Sequence, residues 1–537
     1  MPLTVGTASG GKTGPCHIHL LNDDCLTAIF YEVARHPPRG FNHTVVSETD
    51  RLICITHICQ RWRELALDLA ELWAEVVFVY PKAFRTFLER ARELQLKLEF
   101  DRRTYGFGIP PRKRSLSEEQ IDYIVTHPER LRVLDVKDQP ISSALALAGI
   151  TLPILEYLHF DYSDSEPYLD CDGPSIFAPL LRIAVFGNFY MSLVAPHLIK
   201  LSLSVGDDWV GEIDAHHLQT LLGSLSLLET LELENCLPPD GWDIVSEQRI
   251  KLPYLAKLHI TGSLSAATSM VRTLEHINDY ANVWLTITEL EETEDASHLA
   301  GTLRPHFDSV RHDTLSVSEY YSDPVHGYGA SRLLRMWLSD KTDHSVNSYT
   351  VSIDVADSPL EIMDFYEGFF EQLSVGQIVH LTVCHEERLD EFDWEETLPA
   401  FQMPQLTHSV QSIHYHLEVQ DAHQFASETA DFGSGLLPMF LLDNPVAYTS
   451  IVSVTLEGNP ERYERATSAD EVEKLLWWLD ERAASNAPLK TLYLTGGAYK
   501  LPYEEHSGTV NRSRDWEVWN EVGKLVQVID ERTLDAM

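Results

Sequence analysis

Leu228-Glu229-Thr230-Leu231-Glu232-Leu233-Glu234-Asn235-Cys236 is the stretch that decides the architecture. Leu231 and Leu233 alternate with Glu232 and Glu234, and a period of two sends successive side chains of a strand to opposite faces. The apolar residues therefore predict one buried face and the glutamates one solvated face, with Asn235-Cys236 at the turn. A strand this short cannot form a core alone, so the pattern must recur.

It does recur, as Leu-x-x-Leu-x-Leu with conservative apolar replacements. Copies are Leu131-x-x-Leu134-x-Val136, Leu155-x-x-Leu158-x-Phe160, the poorer Leu181-x-x-Ala184-x-Phe186, Leu198-x-x-Leu201-x-Leu203, Leu228-x-x-Leu231-x-Leu233 and Leu255-x-x-Leu258-x-Ile260. Their starts are separated by 24, 26, 17, 30 and 27 residues, scattered around the leucine-rich-repeat period of roughly 20–29. Such a repeat places one short strand in a solenoid core and returns through a helical or irregular segment. A looser second series follows: Ile378-x-x-Leu381-x-Val383, Val410-x-x-Ile413-x-Tyr415, Ile451-x-x-Val454-x-Leu456 and Leu489-x-x-Leu492-x-Leu494. Its steps of 32, 41 and 38 need longer returns, two of which have helical periodicity, Ser358–Glu367 and Ser468–Leu479. Ser468 with Glu471 forms a capping-box pattern, and Trp477-Trp478 reads as core. Residues 283–317 and those after about 503 fit neither template.

Upstream lies a different unit. Leu20-Leu21-Asn22-Asp23-Asp24-Cys25-Leu26-Thr27-Ala28-Ile29-Phe30-Tyr31-Glu32-Val33 and Leu52–Ala66, followed by Glu71-Leu72-Trp73, read as short amphipathic helices. Their apolar stripe must be covered by the rest of the chain or by a partner.

The 537 residues exceed one ordinary domain, and no apolar run approaches the 18 to 20 residues or so of a membrane span. The start, Met1–Gly6, lacks the charged and apolar regions of a secretory signal. Seven scattered cysteines do not make a disulfide framework, which points to a reducing compartment, cytosol or nucleus. The net charge of −41 is uneven, with 23 basic and 65 acidic residues in 133–537. That field repels nucleic acid and anionic membrane, and it favours solubility and, secondarily, a basic partner. The basic segment Arg102–Arg114 contains Gly106, Gly108, Pro110 and Pro111 and reads as a surface loop; its three consecutive cations are weak grounds for nuclear targeting.

Chemical motifs do not hold up. Gly6–Thr13 spells a phosphate loop, but only five residues precede it and Gly14-Pro15 stand where its helix should begin. Cys16-His17-Ile18-His19, Cys384-His385-Glu386 and His414-Tyr415-His416 lack the paired spacing of a closed zinc site. No nucleophile elbow or kinase signature is present. The expectation is a non-enzyme without cofactor, metal site or catalytic residue.

The upstream unit resembles an F-box, in the F-box-like form common in mushroom-group fungi. The matching elements are Leu20–Phe30, then Ile58-Cys59-Gln60-Arg61-Trp62-Arg63-Glu64-Leu65-Ala66, then Leu69-Ala70-Glu71-Leu72-Trp73, about 55 residues in all. Asn22 stands where the family usually has proline, and the loop His36–Thr49 lengthens the connection. The resemblance implies a helical unit that docks a Skp-family adaptor and, through it, a cullin–RING ubiquitin ligase. It places adaptor contacts at Leu21, Leu26, Ile29, Phe30, Val33, Ile55, Cys59, Trp62 and Leu65. Trp62 and Trp73 fit an internal cap on the first repeat equally well. Downstream repeats would then hold a protein substrate through outward side chains, Asp135, His159, Asp161, Ser202, Glu232, Glu234 and His259.

The expected fold is α/β: a disordered N-terminus 1–17, an F-box-like helical domain 18–80, a linker or first cap 81–130 with the basic loop, an irregular leucine-rich-repeat solenoid (a horseshoe) 131–503, and a C-terminal cap or tail 504–537. The expected function is substrate recognition within an SCF-type ligase. An interaction scaffold without ligase association is the alternative.

Overall fold

In the computed structural model the chain divides into two compact units, residues 1–195 and 196–537. The structure describes residues 21–35, 53–78, 81–99, 116–137, 144–162, 167–206, 212–238, 240–242, 249–278, 281–290, 294–309, 312–321, 332–339, 351–356, 365, 368–370, 372, 375–386, 404–418, 441, 445, 447–458, 469–496 and 520–530. The phosphate-loop-like Gly6–Thr13, Cys16–His19, the basic loop 102–114 and the connection 36–49 lie outside the described residues.

In the first unit, helices α1 (Asp23–Arg35), α2 (Gln60–Asp68), α3 (Ala70–Val76) and α4 (Phe84–Ala91) lead into strand β1 (Leu96–Glu99). Helix α5 (Glu118–Thr126) precedes β2 (Leu131–Lys137) and β3 (Tyr157–Asp161). Then come β4 (Tyr168–Asp170), β5 (Ile176–Phe177), β6 (Ile183–Gly187), β7 (Phe189–Met191) and β8 (Leu193–Val194). Strands β1, β2, β3 and β6 pair in parallel in that order, while β4 pairs with β7 and β5 with β8. Helix α5 opens on a capping box that the sequence reading overlooked: the Ser117 hydroxyl accepts from the Gln120 amide, and the Gln120 side chain accepts from Ser117 N–H. The buried Gln120 amide also donates to the Phe78 carbonyl at 2.9 Å, tying α5 to the segment after α3.

The second unit contains β9 (Lys200–Ser204), α6 (Ala215–Gly223), β10 (Thr230–Glu234), β11 (Lys257–Ser263), α7 (Leu264–Thr273), β12 (Asn282–Glu289), α8 (Glu294–Ser309), β13 (Thr314–Tyr321), β14 (Arg332–Ser339) and β15 (Val351–Ala356). It continues with β16 (His380–Glu386), α9 (Pro404–Ser409), β17 (Ser412–Glu418), β18 (Ser453–Gly458), α10 (Ala469–Ala484), β19 (Thr491–Gly496) and β20 (Gln527–Asp530). Their spatial order is β9-β10-β11-β12-β15-β14-β13-β16-β17-β18-β19-β20. Neighbours pair in parallel except β14, which runs antiparallel to both β13 and β15. The fold is thus mixed α/β with mainly parallel sheet, and no closed barrel forms among the described strands.

Every apolar position of the repeat motifs named from the sequence is buried, from Leu131, Leu134 and Val136 to Leu489, Leu492 and Leu494. Strands β3, β9, β10 and β11 alternate strictly: β10 runs half-buried, buried, half-buried, buried, half-buried. One backbone bond also recurs from strand to strand. Glu229 N–H donates to the Ile199 carbonyl, Ala256 to Glu229 and Asn282 to Ala256, each at 2.8 Å. Recurrence of that bond fixes the register between neighbouring strands, so the apolar positions of β9 to β12 line up with one another.

Beyond β10 the chain turns through Asn235 at φ +51°, with its N–H on the Thr261 carbonyl at 2.8 Å. Cys236 is then fully buried, where desolvation pushes its thiol up to about 12. It packs as a small apolar residue rather than as a nucleophile.

The described residues of the unassigned stretch 283–317 lie in β12, α8 and the start of β13 or directly beside them. Here the regular order breaks, since β13 sits beyond β15 and β14 rather than beside β12. Of the expected return helices, α10 begins at Ala469, while its proposed cap Ser468 and most of 358–367 lie outside the described residues. Trp478 is fully buried but Trp477 is 48% exposed, correcting the expectation that both are core. Adjacent residues on a helix point about 100° apart, so only one can enter the core.

Candidate functional site

The helical segments on either side of the 36–52 connection assemble into one cluster. Phe30 of α1 and Trp62 of α2 are buried with ring centroids 5.1 Å apart. Arg61 holds the rim: its Nη2 donates to the Leu21 carbonyl and to Asp23 Oδ1, each at 2.7 Å. Asn22 accepts from the Cys25 N–H at 2.8 Å and so caps α1. Trp73 of α3 donates from Nε1 to the Ala66 carbonyl at 2.9 Å, lies 5.0 Å from Phe87, and is covered by the Arg90 guanidinium at 4.4 Å.

These contacts sort the residues expected to meet an adaptor. Leu26, Phe30, Ile55 and Trp62 are buried within the chain, because helices this short need them to hold one another. Leu21, Ile29, Cys59 and Leu65 are half-buried, and Val33 lies in α1 with its side chain outside the described set. Ile58, which the sequence reading left off its contact set, is 55% exposed. Both tryptophans serve internal packing.

The expected substrate residues lie in two places. In the first unit Asp135 and His159 face each other on β2 and β3, with Oδ1 and Nδ1 3.1 Å apart. Asp135 is buried rather than solvated, and His159 is half-buried. Asp161, at the end of β3, is opposite Gly187, where a Cβ would lie 2.8 Å from its Oδ1; the glycine makes room for the carboxylate.

In the second unit Ser202, Glu232 and His259 are in register across β9, β10 and β11, and Glu234 follows two residues along. Glu232 is clamped from both sides, by Lys200 at 2.7 Å and Lys257 at 2.8 Å. Partial burial alone would raise its carboxyl, but hydrogen bonds and charge from the two lysines outweigh it and bring it to about 2. The lysines recur at one repeat position, Leu198-x-Lys200 and Leu255-x-Lys257. That signal was in the sequence, yet it gains meaning only once the parallel register puts both beside Glu232.

Beyond the clamp, His259 Nδ1 lies 3.7 Å from Glu234 Oε1, and its ring is 5.0 Å from the Trp284 indole on β12. Trp284 is 38% exposed on this same face. Its position fell in the stretch that fitted no template, which is why the sequence reading passed over it. An exposed indole beside a histidine and a carboxylate offers a flat apolar surface with a polar border, suited to holding a protein side chain.

Among the described residues no helix is long and apolar enough to cross a membrane. No protein-family model, curated protein or solved structure matches this chain.

Proposed function

We propose that the chain is a non-catalytic substrate receptor: an F-box-like unit that docks a Skp-family adaptor of a cullin–RING ubiquitin ligase, followed by an irregular leucine-rich-repeat solenoid that holds a protein target. The observation that carries this reading is the Phe30–Trp62 contact with its Arg61 rim, which joins the two separated halves of the F-box-like motif into one folded cluster. The departure at Asn22 is compensated by its capping bond. Half-buried Leu21, Ile29, Cys59 and Leu65 with exposed Ile58 supply apolar anchors of the size that dominates helix-in-groove binding.

The repeat reading rests on burial of every motif position and on the recurring strand-to-strand bond. On the second unit we assign target contact to Trp284, His259 and Glu234, with Glu232 as framework between its lysines. The excess of acidic residues favours a basic target, and the cytosol or nucleus is the expected compartment.

Affinity purification of the tagged full chain tests this. Retention of a Skp-family adaptor together with a cullin is expected. Purification without either supports the scaffold alternative instead.

A further inference from the structure

Helix α10 has two faces. Leu475, Trp478, Leu479 and Arg482 are buried, whereas Glu473, Lys474, Trp477, Asp480 and Glu481 are exposed. Residues three and four apart are neighbours on a helix surface, with Cβ atoms about 5–6 Å apart. Trp477 is therefore the centre of the open face, with Glu473 and Lys474 one turn before it and Asp480 and Glu481 one turn after. Helical Cα–Cβ bonds tilt toward the N-terminus, so the two later carboxylates lean back toward the indole.

Trp477 is 48% exposed, and it differs from the other tryptophans with described side chains. Trp62, Trp284 and Trp478 meet Phe30, His259 and Arg482, while Trp73 and Trp242 donate to the Ala66 and Pro238 carbonyls. The Trp477 side chain makes no hydrogen bond, ring contact or cation contact among the described residues. Lys474, Asp480 and Glu481 beside it make no ion pair there either. Glu481 moreover stands in the last turn of α10, where the helix dipole favours a cation. An indole and carboxylates left without partners on one helix face are local departures from folding logic of the kind that binding surfaces show.

We propose that this face of α10 docks a basic segment of another protein, with one arginine of that segment lying flat on the Trp477 indole and donating to the carboxylates of Asp480 and Glu481. A guanidinium is planar, weakly hydrated and forked, so it stacks on an aromatic face while donating to a carboxylate. A lysine ammonium is a strongly hydrated point charge and does neither as well. Charge also fits. The open face carries three carboxylates against one lysine, within a region of 65 acidic and 23 basic residues. That field repels nucleic acid and anionic membrane, which leaves a basic protein segment as the occupant. The face is distinct from the strand surface that carries Trp284, and it requires neither adaptor docking nor target recognition there.

The test is fluorescence anisotropy of a labelled hexa-arginine peptide titrated with the purified full chain at physiological salt, with hexalysine as the comparison. Saturable binding is expected, tighter for the arginine peptide by about threefold or more. Trp477→Ala should weaken arginine binding by about fivefold or more and remove the preference over lysine, while Trp477→Phe keeps part of both. Asp480→Asn/Glu481→Gln should weaken it severalfold, and Trp284→Ala should leave it unchanged. Circular dichroism confirms that each variant is folded. Absence of saturable binding overturns the proposal, as does equal binding of the two peptides. So does undiminished binding by folded Trp477→Ala or by the carboxylate variant, or loss of binding in Trp284→Ala, which would place the peptide on the strand surface.

Discussion

The rings of Phe30 and Trp62 meet at 5.1 Å between centroids and 60° between planes, both inside the helical cluster. A contact between residues on opposite sides of a long connection makes the cluster one cooperative object. Trp62→Ala should therefore cost about 3–5 kcal/mol, the usual range for deleting a buried aromatic. Urea denaturation of the full chain followed by intrinsic fluorescence checks it. Ile58→Asp, at an exposed position, should stay within about 0.5 kcal/mol of wild type in the same assay.

Glu232 makes a pH-dependent contribution. Its folded-state carboxyl is held near 2 against an ordinary value of 4.5, so the clamp stabilises the fold fully above about pH 4.5 and loses that contribution as pH falls toward 2. Allowing for solvent screening of the half-exposed lysines, the clamp contributes on the order of 1–2 kcal/mol. Glu232→Gln should remove that much stability at pH 7, leave Lys200 and Lys257 without their shared carboxylate, and flatten the acid limb of the stability curve. Chemical denaturation from pH 2.5 to 7 reads both effects.

Arg482 in α10 is fully buried and lies 5.0 Å over the Trp478 ring. Its guanidinium donates to the carbonyls of Pro445, Tyr448 and Ile451 at 3.0, 2.9 and 3.2 Å. Burial lowers its pKa to about 10, a measure of how strongly desolvation opposes the charge. Arg482→Met keeps much of the volume but strands the carbonyls, and should cost about 2–4 kcal/mol. Arg482→Lys, with a point-like ammonium in place of the planar fork, should fall between wild type and Met. Thermal denaturation ranks the three.

Asn235 sits at φ +51° after β10. Asn235→Gly should be nearly neutral, whereas Asn235→Val should cost about 1–3 kcal/mol, because a β-branched residue is strained there. Hydrogen exchange at the amide of residue 235, which donates to the Thr261 carbonyl, should rise in the valine variant alone.

The repeat strands were legible because Leu-x-x-Leu-x-Leu encodes its own geometry: Leu231 and Leu233 are buried while Glu232 and Glu234 stay on the other face. The same local logic placed the turn at Asn235-Cys236. What escaped depends on distant neighbours. Strand β14 runs against its partners, and β13 lies beyond it, because of a crossover that no local period records. Pro305 lies inside α8, where proline ordinarily interrupts a helical pattern, and residues 283–317 fitted neither template. Helical periodicity identified Phe30 and Trp62 as apolar-face residues but not which way that face turned; packing turned it inward and left Ile58 outside. Lys200, Glu232 and Lys257 form a clamp only in register, and Arg482 reads as a surface cation until three carbonyls converge on it.

Calorimetric titration of the purified full chain with a Skp-family adaptor measures adaptor docking itself. One-to-one binding with a dissociation constant below about 10 µM is expected, with at least a tenfold loss in the folded Ile58→Asp/Leu65→Asp variant. No detectable binding by the wild-type chain at that concentration, or equal binding by the variant, would contradict it.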